Sequence, residues 1–311
     1  MVFIQKRLYI RQTKDKGERI HMIMQYGNFA YFFYPILVIA FTVGMYFLLR
    51  KRSERTKKYV LLAMMLVNLL QHFLKKFIWP MYWGTDFDVR ISTAYNLCAL
   101  LIIIAPFVLL SKNKLWKDFL VLFGTNAGVM TMAVPYWYIG QTIWQWDVFR
   151  YYFCHGLLSS SSLLIALLGL HKLDWRNFWK IPFLFFLSLI LVCFNDLVLA
   201  VARGTQDGLF DLLYAYNPCW LFHPIEEFSF IIPVIDFFTP DVFMGDLVTG
   251  EPFTPLLWYF IPMYLLIAVL AFIIMALANR RRFLEDWRTF TAWLRRVRDK
   301  FRKKPADDPE Q

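Results

Sequence analysis

The chain has 311 residues, of which 59% are hydrophobic, 19% aromatic and only 18% charged, with a formal net charge of +11. So little charge over this length excludes an ordinary soluble domain and points to a polytopic membrane protein. The surplus Lys and Arg fall in short clusters between long apolar runs, which is the pattern of membrane topology and not of a nucleic-acid surface.

The first segment, 1–28, is strongly basic. Either the first span overrides this local bias, or the start lies too early and translation begins at Met22. Codons for Lys16-Gly17-Glu18 readily spell a ribosome-binding site at a workable distance upstream. Seven stretches then reach the roughly 20 mostly apolar residues that a crossing helix needs: 29–49, 59–78, 92–110, 118–137, 150–170, 181–201 and 256–279. The expected fold is all-α, a seven-span transmembrane bundle over 29–279. Loops 50–58 (RKRSERTKK), 111–117 (SKNKLWK) and 171–180 (HKLDWRNFWK) carry the Lys/Arg clusters, as does the segment after 279. The alternate loops, 83–90, 140–149 and the one opening at Asp207, are neutral to acidic. The positive-inside rule makes the basic set cytoplasmic, with the amino end outside and the carboxyl end inside a cell membrane.

Two stretches stand apart from the spans. Residues 202–255 form a long outer segment whose apolar run 228–240 is short and broken by proline, which suits an interfacial or re-entrant position. After the last span, Phe283, Trp287, Phe290, Leu294, Val297 and Phe301 recur every three or four residues among Arg and Lys. This spacing predicts an amphipathic basic helix lying on an anionic cytoplasmic leaflet, with a short self-associating coil as its rival. Pro305 and an acidic tail follow.

A helix rises about 1.5 Å per residue, so position within a span converts to depth. On that scale Asn96 and Cys98 lie roughly 6–9 Å below the outer edge and His155 about 7–8 Å. His72, beside Gln71, falls in a similar layer, and Asn195 and Asp196 lie about one turn below the end of the sixth span. Four helices thus bring polar groups to one height. Cys98 is the candidate nucleophile and His155 its base, with Asp196 or Asn195 orienting the imidazole. His72 is a candidate second acid/base or a holder of a phosphate oxygen. Ser159, one turn from His155, could hydrogen-bond it. Asn96 sits about 200° around the helix from Cys98 and faces elsewhere unless the helix is distorted.

Blander readings stand beside these. A cysteine in a membrane helix behaves as a small hydrophobe, and Ser159–Ser162 suit close helix packing. Asp196 could cap a helix, His171 sits at a cytoplasmic edge with no evident role, and His21 and His223, the latter near Glu226 and Glu227, lie outside the spans. The four cysteines (Cys98, Cys154, Cys193, Cys219) show no CxxC pair and no metal-ligand spacing, so neither a zinc site, another cofactor nor a disulfide framework is expected.

Residues 95–135 (YNLCALLIIIAPFVLLSKNKLWKDFLVLFGTNAGVMTMAVP) followed by FRYYFCHGLL at 149–158 resemble the YwaF-like integral membrane proteins of bacteria. That family shows a His-Leu-Cys element in one helix and a His-Gly element two helices later. It is similar to eukaryotic multi-span proteins regarded as acyltransferases acting on lipids through a membrane-embedded Cys and His. The resemblance covers mainly residues 60–170, lands on Cys98 and His155, and implies a lipid acyltransferase or acyl hydrolase opening to the outer leaflet. It departs at Asn96, which stands where the family has histidine. The alternatives are a permease or lipid-binding protein gripping membrane lipids through the same polar layer, and a scaffold acting through its basic carboxyl-terminal helix.

Overall fold

The computed structural model describes residues 22–78, 89–202 and 263–302, with Pro233 and Phe237. The expectations for residues 1–21, for nearly all of 202–255 with His223, Glu226 and Glu227, for Cys219 and for the acidic tail lie outside the described residues. Among those described, the architecture is helical, and the one β feature is an isolated antiparallel bridge between Ile23 and Thr142. That bridge ties the segment ahead of the first helix to the loop ahead of the fifth.

The apolar helices are α1 (Phe29–Leu49), α2 (Glu54–Phe73), α3 (Leu97–Leu110), α4, α5 (Trp146–Leu167), α6 (Ile181–Ala202) and α7 (Tyr264–Ala278). The fourth, α4, runs continuously through Lys114–Phe119, a π turn at Leu120–Gly124 and Thr125–Ala133. Side-chain caps set the starts of several. Asn28 accepts from the Tyr31 amide, Ser53 from Thr56 and Asn96 from Ala99, each satisfying a helix-end donor that would otherwise be orphaned. Each helix falls where an apolar run was read. By length and composition alone, three described helical stretches can cross a membrane: Phe29–Leu49, Lys114–Tyr138 and Trp175–Leu199. A fourth is added if α7 and the helix after it are taken as one bent span. The remaining helices miss that standard for visible reasons. In α2 the first turns are charged, α3 has 14 residues, and α5 carries Asp147, Arg150, His155 and four serines.

The polarity of α5 follows from its place. It packs against α1, α2, α3 and α4, and 14 of its 22 residues are buried. A helix walled by protein can hold polar groups that lipid would reject. Its closest neighbour is α4, and the approach depends on Gly124 and Gly128 facing Ser159 and Ser162. A side chain begun at Gly128 would come within 2.5 Å of the His155 carbonyl oxygen and 2.8 Å of Ser159 Cβ. Small residues four apart allow such main-chain approach. Across α1, Gly156 lies against Val38, and Thr42 shares a 2.7 Å hydrogen bond with Ser160.

The basic loops gather at one end of the bundle. Lys57 donates to the Leu168 carbonyl at 3.0 Å. Fully buried Asp118 accepts from His171 at 2.7 Å and from Asn177 at 2.8 Å. His171, expected to have no role, is therefore the buried partner that joins α4 to the loop before α6. From this end the chain turns by 104° after α7 into α8 (Arg280–Arg302). Asp286 of α8 accepts hydrogen bonds from Arg176 and from Trp175 Nε1, and Arg282 pairs with Asp174 at 3.3 Å. Trp287, Phe290, Trp293 and Leu294 remain exposed along one stripe.

Two outcomes test these contacts. Gly128→Leu must force α4 and α5 apart and is expected to cost about 1–3 kcal/mol or more in thermal unfolding of the detergent-solubilised protein. Gly44→Ala, with nothing within 4 Å of its new methyl, is expected to be neutral or to stabilise by up to about 1 kcal/mol. The second concerns Asp286, whose carboxyl the Arg176 hydrogen bond holds below the usual carboxylate range. A depressed folded pKa means that the contact contributes fully above about pH 4 and is lost as pH falls through the lower, folded value. Spin labels at Lys172 and Thr291 should hold one distance at neutral pH and separate only in acid below that point. A distance constant through that range would show that the carboxylate does not hold α8.

Candidate functional site

At the opposite end from the basic loops, α2, α3 and α5 enclose a cavity of about 30 Å³. It is lined by Gln71, His72 and Lys75 from α2 and the turn after it. The start of α3 supplies Tyr95, Asn96, Cys98, Ala99 and Ile102, and α5 supplies Arg150, Cys154 and His155. One water needs about 10–15 Å³ by the same measure, so the space admits a group of a few heavy atoms.

Cys98 and His155, read as nucleophile and base, line this one cavity. The orientation of the ring is fixed by its own helix. His155 Nδ1 lies 2.8 Å from the Tyr151 carbonyl oxygen. A carbonyl can only accept, so Nδ1 carries the proton and Nε2 keeps the lone pair. The Tyr151 ring lies tilted beside the imidazole, with 4.6 Å between centroids, and its hydroxyl donates to the Thr131 carbonyl at 2.5 Å. The Cys98 thiol meets the Thr131 hydroxyl at 3.6 Å. That hydroxyl donates to Ala127 at 2.6 Å, which makes the thiol the donor to Thr131. Thr131 and Tyr151 therefore hold both the thiol and the imidazole against the α4–α5 seam.

The other expected residues divide. His72 lines the cavity and is almost fully buried, with Nε2 3.1 Å from the Thr93 carbonyl. Asn96 lines it too, contrary to the 200° argument, because the helix begins one residue later and Asn96 is its extended N-cap. Asp196 and Asn195 are not in the lining. Asn195 donates to Thr93 Oγ1 at 2.9 Å and to Asp196 at 3.4 Å, so this pair supports the loop that holds His72 and does not orient His155. Tyr151 does that instead, since α6 packs on α3 and the Nδ1 position is already filled by main chain. Ser159 also leaves the site. It bonds the Gly156 carbonyl at 3.1 Å and lines a separate apolar groove of about 480 Å³ between α1, α4 and α5.

Several lining residues were not singled out in the sequence. Arg150, taken for the polar end of a span, sits in the second turn of α5, only 5% exposed, and donates to Gln71 Oε1 at 2.9 Å. Gln71 donates in turn to Asn68, and Asn68 to the Cys154 carbonyl, so a buried polar chain crosses from α2 to α5. Lys75 is 4% exposed, donates to the Ile91 carbonyl at 2.6 Å and lies over the Tyr95 ring. The available signal was the spacing: Gln71, His72 and Lys75 share one helical face, as do Arg150 and Cys154. Cys154 lies with Sγ 3.4 Å from His155 Nδ1, but its thiol is 4% exposed and directed at the Tyr151 carbonyl. No group of three or more His, Cys, Asp or Glu side chains among the described residues could hold a metal ion.

The sequence matches the model of the TMEM164 family over residues 24–278. No curated protein and no solved structure matches it.

A small thiol-directed electrophile that enters the cavity should modify Cys98, the half-buried thiol, ahead of Cys154. Peptide mapping that finds Cys154 modified first would place the accessible thiol on α5 instead.

Proposed function

This chain belongs to the TMEM164 family of multi-span membrane proteins, and on that footing we propose that it is a Cys/His enzyme transferring acyl groups between membrane lipids. The observation that supports this reading is the meeting of Cys98 and His155, from separate helices, in one small polar cavity. The YwaF-like resemblance, with its eukaryotic acyltransferase kin, points to the same two residues.

The chemistry follows from the tautomer. Once the Cys98 S–H turns away from Thr131, His155 Nε2 takes its proton while Nδ1 stays bonded to the Tyr151 carbonyl. The thiolate attacks the carbonyl carbon of a lipid ester, and the tetrahedral intermediate collapses to a thioester. The imidazolium returns its proton to the departing alkoxide, leaving a lysolipid. The hydroxyl of a second lipid then gives its proton to Nε2 and attacks the thioester, which transfers the acyl group and restores the thiol. Water in place of that hydroxyl makes the outcome hydrolysis. A cavity with room for a few heavy atoms favours a positioned acceptor over bulk water.

Seven spans, with the amino end outside and the basic loops in the cytoplasm, belong to the same proposal. The clustering of Lys57, Asp118, His171 and Arg176 at the end opposite the cavity supports it, since the cavity then opens toward the outer leaflet. The 104° turn into α8 sets its exposed aromatic stripe across the direction of α7, as a helix resting on the anionic inner leaflet requires.

The test uses a lipid bearing a labelled acyl chain. Wild-type protein should carry the label on Cys98 as a hydroxylamine-sensitive thioester. Cys98→Ala should abolish both adduct and transfer, and His155→Gln should lower the rate by roughly 10²-fold or more. Undiminished activity in both variants would leave a lipid-binding protein without this chemistry.

A further inference from the structure

Cys98 stands at the second residue of α3, and that position leaves its main chain with an unspent donor. The first bond of the helical ladder runs from the Leu100 amide to the Asn96 carbonyl at 2.9 Å. The Ala99 amide is taken by Asn96 Oδ1 at 2.8 Å. One residue earlier, the Cys98 N–H has no acceptor among the described residues. Donors at a helix start are completed by a capping side chain, by water or by a ligand, and here the cap is already spent on Ala99.

Asn96 brings a second donor to the same wall. Because Oδ1 is committed to Ala99, the carboxamide turns Nδ2 away from the helix. That nitrogen carries two hydrogens and accepts nothing, so it can hold a neighbour and still donate to a ligand. Asn96 and Cys98 both line the cavity that contains His155. The partial positive charge at the start of α3 adds to both donors and favours an anion in front of them.

We propose that the Cys98 N–H and Asn96 Nδ2 form an oxyanion hole for the acyl-transfer step. The assignment rests on the acyl-transfer reading for the reaction and on these two donors for its chemistry. As sulfur bonds to the ester carbon, the C=O π pair moves onto oxygen, and that oxygen comes beside the amide of the residue that attacked it. Asn96 meets it from the preceding turn of chain. When the pair returns, the bond to the departing alkoxide breaks, and the alkoxide takes its proton from the His155 imidazolium. Both donors bond an oxyanion more strongly than a neutral ester oxygen, so they act on the transition state and not on binding. One carboxamide thus starts the helix and serves the chemistry at its first turn.

Asn96→Ser separates those two tasks, because serine caps a helix as well as asparagine does but carries no amide N–H. Full-length protein in detergent micelles is given a lipid ester with a labelled acyl chain. It is also titrated with a lipid trifluoromethyl ketone, to which the thiolate adds reversibly to leave an oxyanion with no group to expel, and with an ether lipid that has no carbonyl. Asn96→Ser should unfold at the wild-type temperature. Its kcat for thioester formation should fall by roughly 10²–10³-fold with KM unchanged, and the ketone should bind more weakly by a similar factor. The ether lipid should bind both proteins alike. Asn96→Asp, which keeps the cap and puts an acceptor where Nδ2 stood, should lose at least as much. Wild-type rates and ketone affinity in Asn96→Ser would overturn the assignment and leave the chemistry on Cys98. Equal losses of ketone and ether binding would also overturn it, because Asn96 would then only shape the cavity. Wild-type protein that forms neither thioester nor ketone adduct would remove the assignment together with the acyl-transfer reading.

Discussion

The site depends on how closely α4 and α5 approach. Apolar side chains gain little by leaving lipid for one another, so membrane helices associate through close packing and hydrogen bonds. Here the contact is made by absent side chains: Gly128 rests on the His155 carbonyl and Ser159, and Gly124 on Ser162. The seam also sets the Tyr151 hydroxyl on the Thr131 carbonyl and brings Thr131 to the Cys98 thiol. A displacement of α5 of even an ångström would carry the imidazole with it, because Nδ1 is bonded to its own helix and not to a mobile side chain. Rigidity of this kind is what the proposed pairing of thiol and imidazole requires.

The two ends of the bundle manage charge differently. At the end with the basic loops, charges pair: His171 with Asp118, Arg282 with Asp174, Arg176 with Asp286. The exposed members of this set contribute little stability each, and their effect is to fix where α8 leaves the bundle. At the other end, cations meet neutral acceptors around a cavity.

Most of the helical framework was legible in the sequence, since long apolar runs separated by Lys/Arg clusters leave few alternatives for a chain of this composition. The layer containing Cys98, His155, His72 and Asn96 was legible too, because depth follows from helical rise. Direction around each helix was not. Asp196 and Ser159 have the right height for His155 but look toward α3 support and toward the α1 groove. Asn96 was misread in the opposite sense, because the 100° rule fails at a residue just outside the helix. Arg150 was passed over as the polar end of a span, where charge needs no explanation, and Lys75 was not weighed. The packing of α5 among four neighbours shows that Arg150 is interior.

The corner at Asn279 gives the chain a mechanical property. Asn279 bonds the Leu173 carbonyl at 3.0 Å, so the bend is pinned to the loop that precedes α6. Beyond it, α8 is an arm of 23 residues, about 35 Å long. A lateral pull on the far end of that arm acts as a torque about the corner, and the Arg176–Asp286 contact, about two turns from the pivot, resists it. Through Asp174 and Asp118 the strain would pass into α4, the same helix whose glycines seat His155.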